Sequence, residues 1–361
     1  MKERRIIISG GGTGGHLYPA LAVGQKLQEK DPGLHLIFVG SQRSLEKNLM
    51  DRSGVHFIAM KIEGLKGRGL KSLKALAVLP FAFLKSLVIL LRLNPDLVIG
   101  VGGYSSGPIV LLASLLKKPT LILEQNLCPG FTNRLLLRWT KKAVVAFENS
   151  LVFFKGKGVF LGNPVREEFY GLRPKQRTNE LAVLVFGGSQ GSHVLNEAMT
   201  AALPLLKAEK DNLKIFHQTG KPDFDRVKSR YISNGFEEAE VAPYFFEMAG
   251  YFERSDLIVS RAGATTIAEL IVSRKAAILV PFALASEDHQ TKNARELERV
   301  GSARVILEKD LTPQLLAETI LFFLKNKEKI SEMERNLTVL KTDRPAEKIA
   351  HLCFELMEAS A

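Results

Sequence analysis

The sequence predicts an α/β protein built from two doubly wound, Rossmann-like parallel-sheet domains. Three observations carry that prediction. A strand–glycine–helix unit occurs twice: Ile6-Ile7-Ile8-Ser9 enters Gly10-Gly11-Gly12-Thr13-Gly14-Gly15-His16 before a helical stretch at 17–27, and Leu181-Ala182-Val183-Leu184-Val185-Phe186 enters Gly187-Gly188-Ser189-Gln190-Gly191-Ser192 before another at 194–206. Apolar strand-like runs alternate with helical segments along the chain, the signature of parallel sheets. Finally, 361 residues exceed one ordinary core and suit two domains of about 150–200 residues.

Taken in order, the strands are expected at 5–9, 35–39, 57–60, 97–101, 120–123, 143–146 and 159–161, then at 181–186, 213–218, 239–241, 257–260, 277–280 and 303–306. Several are apolar throughout rather than alternating, so helices should cover both faces. The Gly162-Asn163-Pro164 turn marks the break. It gives an N-terminal domain at 1–163 and a C-terminal domain at 164–340, with a last helix in 341–361 packing back on the first. In each repeat, glycine lets the backbone come close to a ligand, and the free N–H groups of the first helical turn point at an anion. Two such domains are expected to face each other across a cleft.

One segment departs from the pattern. Residues 70–93 are largely apolar, but Pro80 and Lys85 interrupt a stretch that would need about 20 apolar residues to span a bilayer. At about 100° per residue, Lys71, Lys74, Lys85 and Arg92 fall within roughly 60° of arc. A basic stripe beside an apolar face suits a helix lying on an anionic membrane surface. A helix of the core, kinked at Pro80 and with a solvated lysine edge, has the same pattern.

Composition narrows the class. The hydrophobic content of 46% and charged content of 24% are those of a soluble globular protein. Cys128 and Cys353 lack metal-ligand spacing, so a reduced cytoplasmic setting is expected and a disulfide framework is excluded. Three isoleucines before glycine are too few for a signal-peptide core. The net charge of +12 calls for an anionic partner. Without zinc-finger spacing, lysine tracts or interleaved basic and aromatic residues, nucleic acid is not expected.

Gly10, Gly12 and Gly15 satisfy G-x-G-x-x-G, but the second strand ends Phe38-Val39-Gly40-Ser41 with no acid for a ribose. A dinucleotide site is therefore disfavoured. The second half offers another nest: the run 256–260 leads into Arg261-Ala262-Gly263-Ala264-Thr265-Thr266-Ile267-Ala268-Glu269. Its glycine turn and helix start suit phosphate. Glu269, about a turn inside the helix, can bridge ribose hydroxyls or serve as a capping-type carboxylate. The polar loop at 281–293 follows a strand end and suits sugar hydroxyls, or is ordinary surface. Asp223-Phe224-Asp225 is a literal D-x-D, but Lys221-Pro222 before it points to an acidic first helical turn. It is assigned to capping, and no metal site is expected. His193 and His217 show no paired ligand spacing and are read as structural or cleft-lining.

Seven motifs occur in order: Gly12-Thr13-Gly14-Gly15-His16, Gly102-Gly103-Tyr104-Ser105, Glu124-Gln125-Asn126, Gly162-Asn163-Pro164-Val165-Arg166, Gly187-Gly188-Ser189-Gln190-Gly191, Arg261-Ala262-Gly263-Ala264, and Asp288-His289-Gln290-Thr291-Lys292-Asn293-Ala294. This set, covering essentially the whole chain, resembles the MurG family, bacterial glycosyltransferases of family 28 that convert lipid I into lipid II. Leu127-Cys128 and Phe131 sit where the family often has other apolar residues.

The resemblance implies a GT-B architecture and inverting transfer of N-acetylglucosamine from UDP-N-acetylglucosamine to the C4 hydroxyl of a muramoyl-pentapeptide on undecaprenyl diphosphate, without a cofactor. It implies that Ser189 and Arg166 contact the donor diphosphate, that Ala264, Thr265, Thr266, Ile267 and Ala268 form the phosphate nest, and that Glu269 holds the ribose. Gln290 and Asn126 would take the sugar hydroxyls, and the backbone near Phe245 the uracil. Thr13, Gly14 and Gly15 are counted with the substrate-binding residues, and Tyr104 and Ser105 with the acceptor side. The acceptor hydroxyl needs a base; an imidazole titrates near neutrality, making His16 the first candidate, with Glu124 the alternative. A lipid acceptor places the enzyme peripherally on the cytoplasmic face of the membrane, with the 75–91 segment as docking patch. Rival readings are a UDP-N-acetylglucosamine 2-epimerase-like enzyme, a non-catalytic scaffold, and a transferase of the same plan acting on another acceptor.

Overall fold

The computed structural model describes residues 3–11, 14–41, 54–60, 70–173, 175, 178–340 and 343–360, with the side chains of 70–78 and of Ser286 outside that description. The chain divides into two compact units, Met1–Arg166 with Thr342–Ala361, and Glu167–Lys341.

The first unit holds β1 (Arg5–Ser9), β2 (His35–Ser41), β3 (His56–Met60), β4 (Leu97–Gly100), β5 (Thr120–Glu124), β6 (Lys142–Val145) and β7 (Gly158–Phe160). All pair in parallel, in the order β3-β2-β1-β4-β5-β6-β7. Its helices are α1 (Gly14–Lys30), α2 (Leu70–Leu93), α3 (Ser106–Leu115) and α4 (Phe131–Leu136).

The second unit holds β8 (Leu181–Phe186), β9 (Leu213–Gln218), β10 (Glu240–Ala242), β11 (Leu257–Ser260), β12 (Ala276–Leu279) and β13 (Ala303–Val305), again all parallel, in the order β10-β9-β8-β11-β12-β13. Around it lie α5 (His193–Leu206), α6 (Phe224–Ser233), α7 (Met248–Arg254), α8 (Ala264–Ser273), α9 (His289–Arg299), α10 (Pro313–Lys325) and α11 (Lys327–Asn336). The chain then returns to the first unit as α12 (Pro345–Glu358). Every strand read from an apolar run is present, with ends unmoved or moved by at most two residues.

The apolar runs follow from double coverage. Ile6 and Ile8 point into one layer with Leu17, Val23 and Leu27 of α1 and Ile349, Cys353 and Leu356 of α12. Ile7, between them, points into the other with Ile89 and Leu90 of α2 and Ile109 and Ala113 of α3. Since successive strand residues face opposite ways, both layers must be apolar, and truncating Ile7 to Ala would cost about 2–5 kcal/mol.

The helix at 70–93 is assigned as one element through Pro80. It is partly a core helix, because Ala82, Ile89 and Leu90 are buried. Its opposite face exposes Phe81, Leu84, Val88 and Leu91, at 73, 60, 39 and 64%. Lys85, expected on a solvated stripe, is exposed there and also donates to the Ala59 carbonyl at the end of β3 at 2.7 Å. Lys71 and Lys74 lie outside the described side chains. Among the described residues, no helix is long and apolar enough to cross a membrane.

Candidate functional site

In doubly wound sheets, ligands gather beyond the carboxyl ends of the strands, where the strand order reverses. In the first unit that point lies between β1 and β4, and in the second between β8 and β11. Both glycine repeats therefore sit at switch points.

In the first unit the loops after β1 and β4 pack backbone against backbone. A Cβ on Gly10 would lie 2.2 Å from Val101 Cγ2 and 2.7 Å from the Gly102 carbonyl oxygen. One on Gly103, whose φ is +78°, would lie 2.3 Å from the Gly11 oxygen. Gly12 and Thr13 fall outside the described residues, while Gly14 and Gly15 open α1. His16 follows, half-buried, with Nδ1 3.1 Å from Gln125 Oε1. Its ring lies against Gly102, where an added Cβ would come within 2.9 Å of Cε1.

Gln125 itself is buried and donates from Nε2 to the Val101 carbonyl at 3.1 Å. Tyr104 is half-buried. Ser105 is buried, and its carbonyl accepts from Ser9 Oγ at 3.2 Å.

Glu124 lies at the end of β5, buried, and both its oxygens are occupied. Oε1 accepts from the Asn126 backbone N–H and from Asn126 Nδ2, at 3.0 and 3.1 Å. Oε2 accepts from the Gly130 N–H and from Asn133 Nδ2, at 2.9 and 2.8 Å. A carboxylate offers about four lone-pair directions, so four donors saturate it. This arrangement holds the loop at 124–130 and leaves little capacity for a substrate proton. Arg166 belongs to the first unit, with its guanidinium 4.8 Å from the ring centre of Tyr18 in α1.

In the second unit, the loop at 187–192 is shaped by glycine for two reasons. Gly188 has φ +94° with open space at its Cβ position, whereas a Cβ on Gly191 would meet the Thr219 carbonyl oxygen at 2.0 Å. Ser189 and Gln190 are exposed, and Ser192 caps α5 by accepting from the Leu195 N–H. Gln218, buried at the end of β9, ties this loop to the segment before α7. Its Nε2 donates to the Gly188 carbonyl at 2.9 Å, and its Oε1 accepts from the Phe245 N–H at 2.8 Å. The Phe245 ring stacks on Tyr251 at 3.7 Å.

The loop after β11 leads through Gly263 into α8, where Ala264, Thr265, Thr266, Ile267, Ala268 and the buried Glu269 follow. Arg261 donates to Ser192 Oγ at 3.0 Å and to the carbonyls of Val280 and Pro281, and pairs with Glu308 at 2.5 Å. One guanidinium thus ties its own loop after β11 to those after β8, β12 and β13. Gln290 Oε1 accepts from the N–H groups of Ala262 and Phe282, at 3.2 and 2.9 Å. That leaves its Nε2 as the group able to reach a ligand.

Asp223 corrects one expectation. It occupies the N-cap position of α6, but its side chain makes no cap bond. The carboxylate instead accepts from Asn196 Nδ2 and Arg226, both at 2.8 Å, and contacts His193 Nδ1 at 3.1 Å. His217 is structural: buried between the Tyr231 hydroxyl and Asn196 Oδ1, its pKa is pushed down by burial to about 3. Among the described residues, no three His, Cys, Asp or Glu side chains gather as a metal cluster would require.

Gln218 and Arg261 escaped assignment from sequence, although both sit at or just past strand ends, where ligand-shaping residues concentrate. Gln125 was hidden inside a quoted motif between two residues that drew attention.

Comparisons with known proteins agree with this layout. The glycosyltransferase family 28 N-terminal domain model matches residues 6–145, and the C-terminal domain model matches 182–351. The UDP-N-acetylglucosamine--N-acetylmuramyl-(pentapeptide) pyrophosphoryl-undecaprenol N-acetylglucosamine transferase of Myxococcus xanthus is 43% identical, with 98% of this chain and 93% of that protein covered. The chain belongs to the MurG family. The MurG-family transferase of Syntrophus aciditrophicus is 41% identical over 98% of this chain and 99% of its own. The crystal structure of Acinetobacter baumannii MurG matches with a TM-score of 0.80 at 30% identity, covering 98% of this chain and 99% of that one. The fold class is that of the GT-B glycosyltransferases, with two Rossmann-like parallel-sheet domains.

Proposed function

We propose that this protein transfers N-acetylglucosamine from UDP-N-acetylglucosamine to the C4 hydroxyl of the muramoyl-pentapeptide carried on undecaprenyl diphosphate, converting lipid I into lipid II. The observation that carries the proposal is the 43% identity to a transferase of that name across 98% of the chain.

The second unit would hold the donor. N–H groups of the glycine loop beside Ser189 and of the α8 start at Ala264, Thr265, Thr266, Ile267 and Ala268 would meet the diphosphate, as helix N-termini do. Glu269 would accept from the ribose hydroxyls. With the Phe245 N–H engaged by Gln218, its carbonyl is the natural acceptor for the uracil N3–H. Gln290 would donate from Nε2 to sugar hydroxyls, joined by Asn126.

The first unit would hold the acceptor beside Tyr104, Ser105 and the turn at Thr13, Gly14 and Gly15. His16 would take the acceptor proton, because Glu124 is saturated by its four donors. As the anomeric bond breaks, negative charge grows on UDP, where backbone N–H groups and Arg166 would stabilise it. Attack from the opposite face would invert an α-linked donor to a β-linked product.

Transfer of labelled N-acetylglucosamine to a synthetic lipid I analogue, run with and without EDTA, tests the reading. Conversion of the donor alone, without acceptor, would instead mark an epimerase.

The same proposal places the enzyme peripherally on the cytoplasmic face of the membrane. At about 100° per residue, the exposed Phe81, Leu84, Val88 and Leu91 fall within roughly 80° of arc on α2, flanked by Lys85 and Arg92. An apolar stripe with a basic flank suits an anionic bilayer. Replacing Phe81, Leu84 and Leu91 with Ser should reduce binding to phosphatidylglycerol vesicles by at least about tenfold, since each buried side chain contributes about 1.5–3 kcal/mol. Lys71, Lys74 and Lys85 to Glu should weaken it further in low salt. Undiminished cosedimentation of both variants would remove this face from the membrane contact.

A further inference from the structure

We infer that Gln125 is a positioning residue that fixes the tautomer of His16, holding the proton on Nδ1 and keeping the Nε2 lone pair available to the acceptor hydroxyl. The inference rests on the proposed role of His16 and deepens it.

The argument begins with the amide. Gln125 Nε2 lies 3.1 Å from the Val101 carbonyl oxygen. A carbonyl can only accept, so the Gln125 NH2 must face it, and turning the amide over would set two oxygens against each other in a buried place. Gln125 is 2% exposed, so no water competes for that choice. The remaining amide atom, Oε1, then faces His16 Nδ1 at 3.1 Å. An amide oxygen also only accepts. A neutral imidazole must therefore place its hydrogen on Nδ1, which leaves Nε2 bare.

The Val101 carbonyl is itself anchored, because the Val101 N–H is held by the Ser9 carbonyl at 2.8 Å within the β1–β4 end. The polarity thus runs from the sheet, through Val101 and Gln125, to the ring. Gly102 closes the other side, with its Cα against the imidazole and φ +91°. The ring is held by an amide on one side and by backbone on another. The proton balance is simple: Nε2 receives the hydroxyl proton as oxygen attacks, and the imidazolium that forms keeps its Nδ1–H on Gln125 Oε1.

Two measurements test this. Nitrogen NMR of the full-length protein at neutral pH, with the His16 signal assigned by its loss in His16→Asn, should show a protonated Nδ1 and an unprotonated Nε2. The opposite tautomer, or an even mixture, would overturn the inference. In kinetics, Gln125→Leu should lower kcat by about 10- to 100-fold while KM for UDP-N-acetylglucosamine stays within about twofold, because geometry and tautomer change and donor binding does not.

Gln125→Glu keeps an acceptor on Nδ1–H but sets its other oxygen against the Val101 carbonyl, so it should restore only part of that loss, and this partial recovery separates a tautomer effect from misfolding. Equal losses in both variants, or none in Gln125→Leu, would count against the assignment. A His16→Ala enzyme at full rate would remove the base and leave the tautomer result standing, so the two failures read differently.

Discussion

The two glycine turns come from one pattern but are put to different use. In the first unit, Gly10 and Gly103 allow the loops after β1 and β4 to touch backbone to backbone, and the turn delivers a titratable side chain, His16, into a hydrogen-bonded seat. In the second, Gly191 packs on the Thr219 carbonyl, and the turn carries only the exposed polar Ser189 and Gln190 among glycines before its Ser192 cap. On the proposed function, one would present a proton acceptor, and the other would present backbone N–H groups to an anion. Repetition of a motif thus predicts a shared phosphate-friendly shape, while the residue at the turn's end decides the chemistry.

That contrast can be broken from its strongest point downwards. His16→Ala should lower kcat by about 10²–10⁴ while UDP binding, measured by calorimetry, hardly changes; a normal rate would erase the difference between the turns. Gly191→Ala should do the reverse. Its Cβ has no room and its φ is +77°, so UDP affinity should fall about tenfold or more, as strain of about 1–3 kcal/mol implies. Intact UDP affinity would mean that the loop shape is irrelevant to donor binding.

Glu124→Gln replaces an acceptor with a donor against N–H groups, and denaturant unfolding should show a loss of about 1–3 kcal/mol. Unchanged stability with abolished transfer would return the base to Glu124.

The smallest effect concerns the support beneath the second turn. Asn196 Nδ2 donates to the Thr219 carbonyl, while Asn196 Oδ1 meets His217 Nε2. Folding lowers the His217 pKa from 6.5 to about 3, so the unfolded chain takes up this proton first. The stability linked to it is constant above about pH 6.5 and is lost as pH falls towards 3, with a slope of at most about 1.4 kcal/mol per pH unit. His217→Leu should flatten that acid slope while lowering stability at neutral pH by about 1–3 kcal/mol, since Tyr231 and Asn196 lose a partner. An unaltered slope would assign the acid sensitivity to other groups.

Much of this was legible in the sequence. Strands covered on both sides must be apolar throughout, so β1, β8 and β11 stand out as uninterrupted runs, and their carboxyl ends locate the loops. Side-chain partnerships across the sheet were not legible. His16 and Gln125 are 109 positions apart, and no periodicity records such a pair. Lys85 turned to the Ala59 carbonyl for a similar reason: a helical wheel shows which residues share a face, not what β3 offers opposite them. Asp223 looked like a cap because composition at helix starts favours acids. Its actual partners are Arg226 of its own helix and Asn196 and His193 of another.

The return of α12 to the first unit carries a consequence for biogenesis. Ile349, Ala350, Cys353, Leu356 and Met357 complete a core whose other members begin at Ile6. That layer is therefore covered only in part, by α1, until residues 349–357 have been made, whereas the 167–341 body can finish beforehand. Removing α12 would strip the side chains of Ile349, Cys353 and Leu356 from the layer over Ile6 and Ile8, so the two ends of this core lie more than 300 positions apart along the chain.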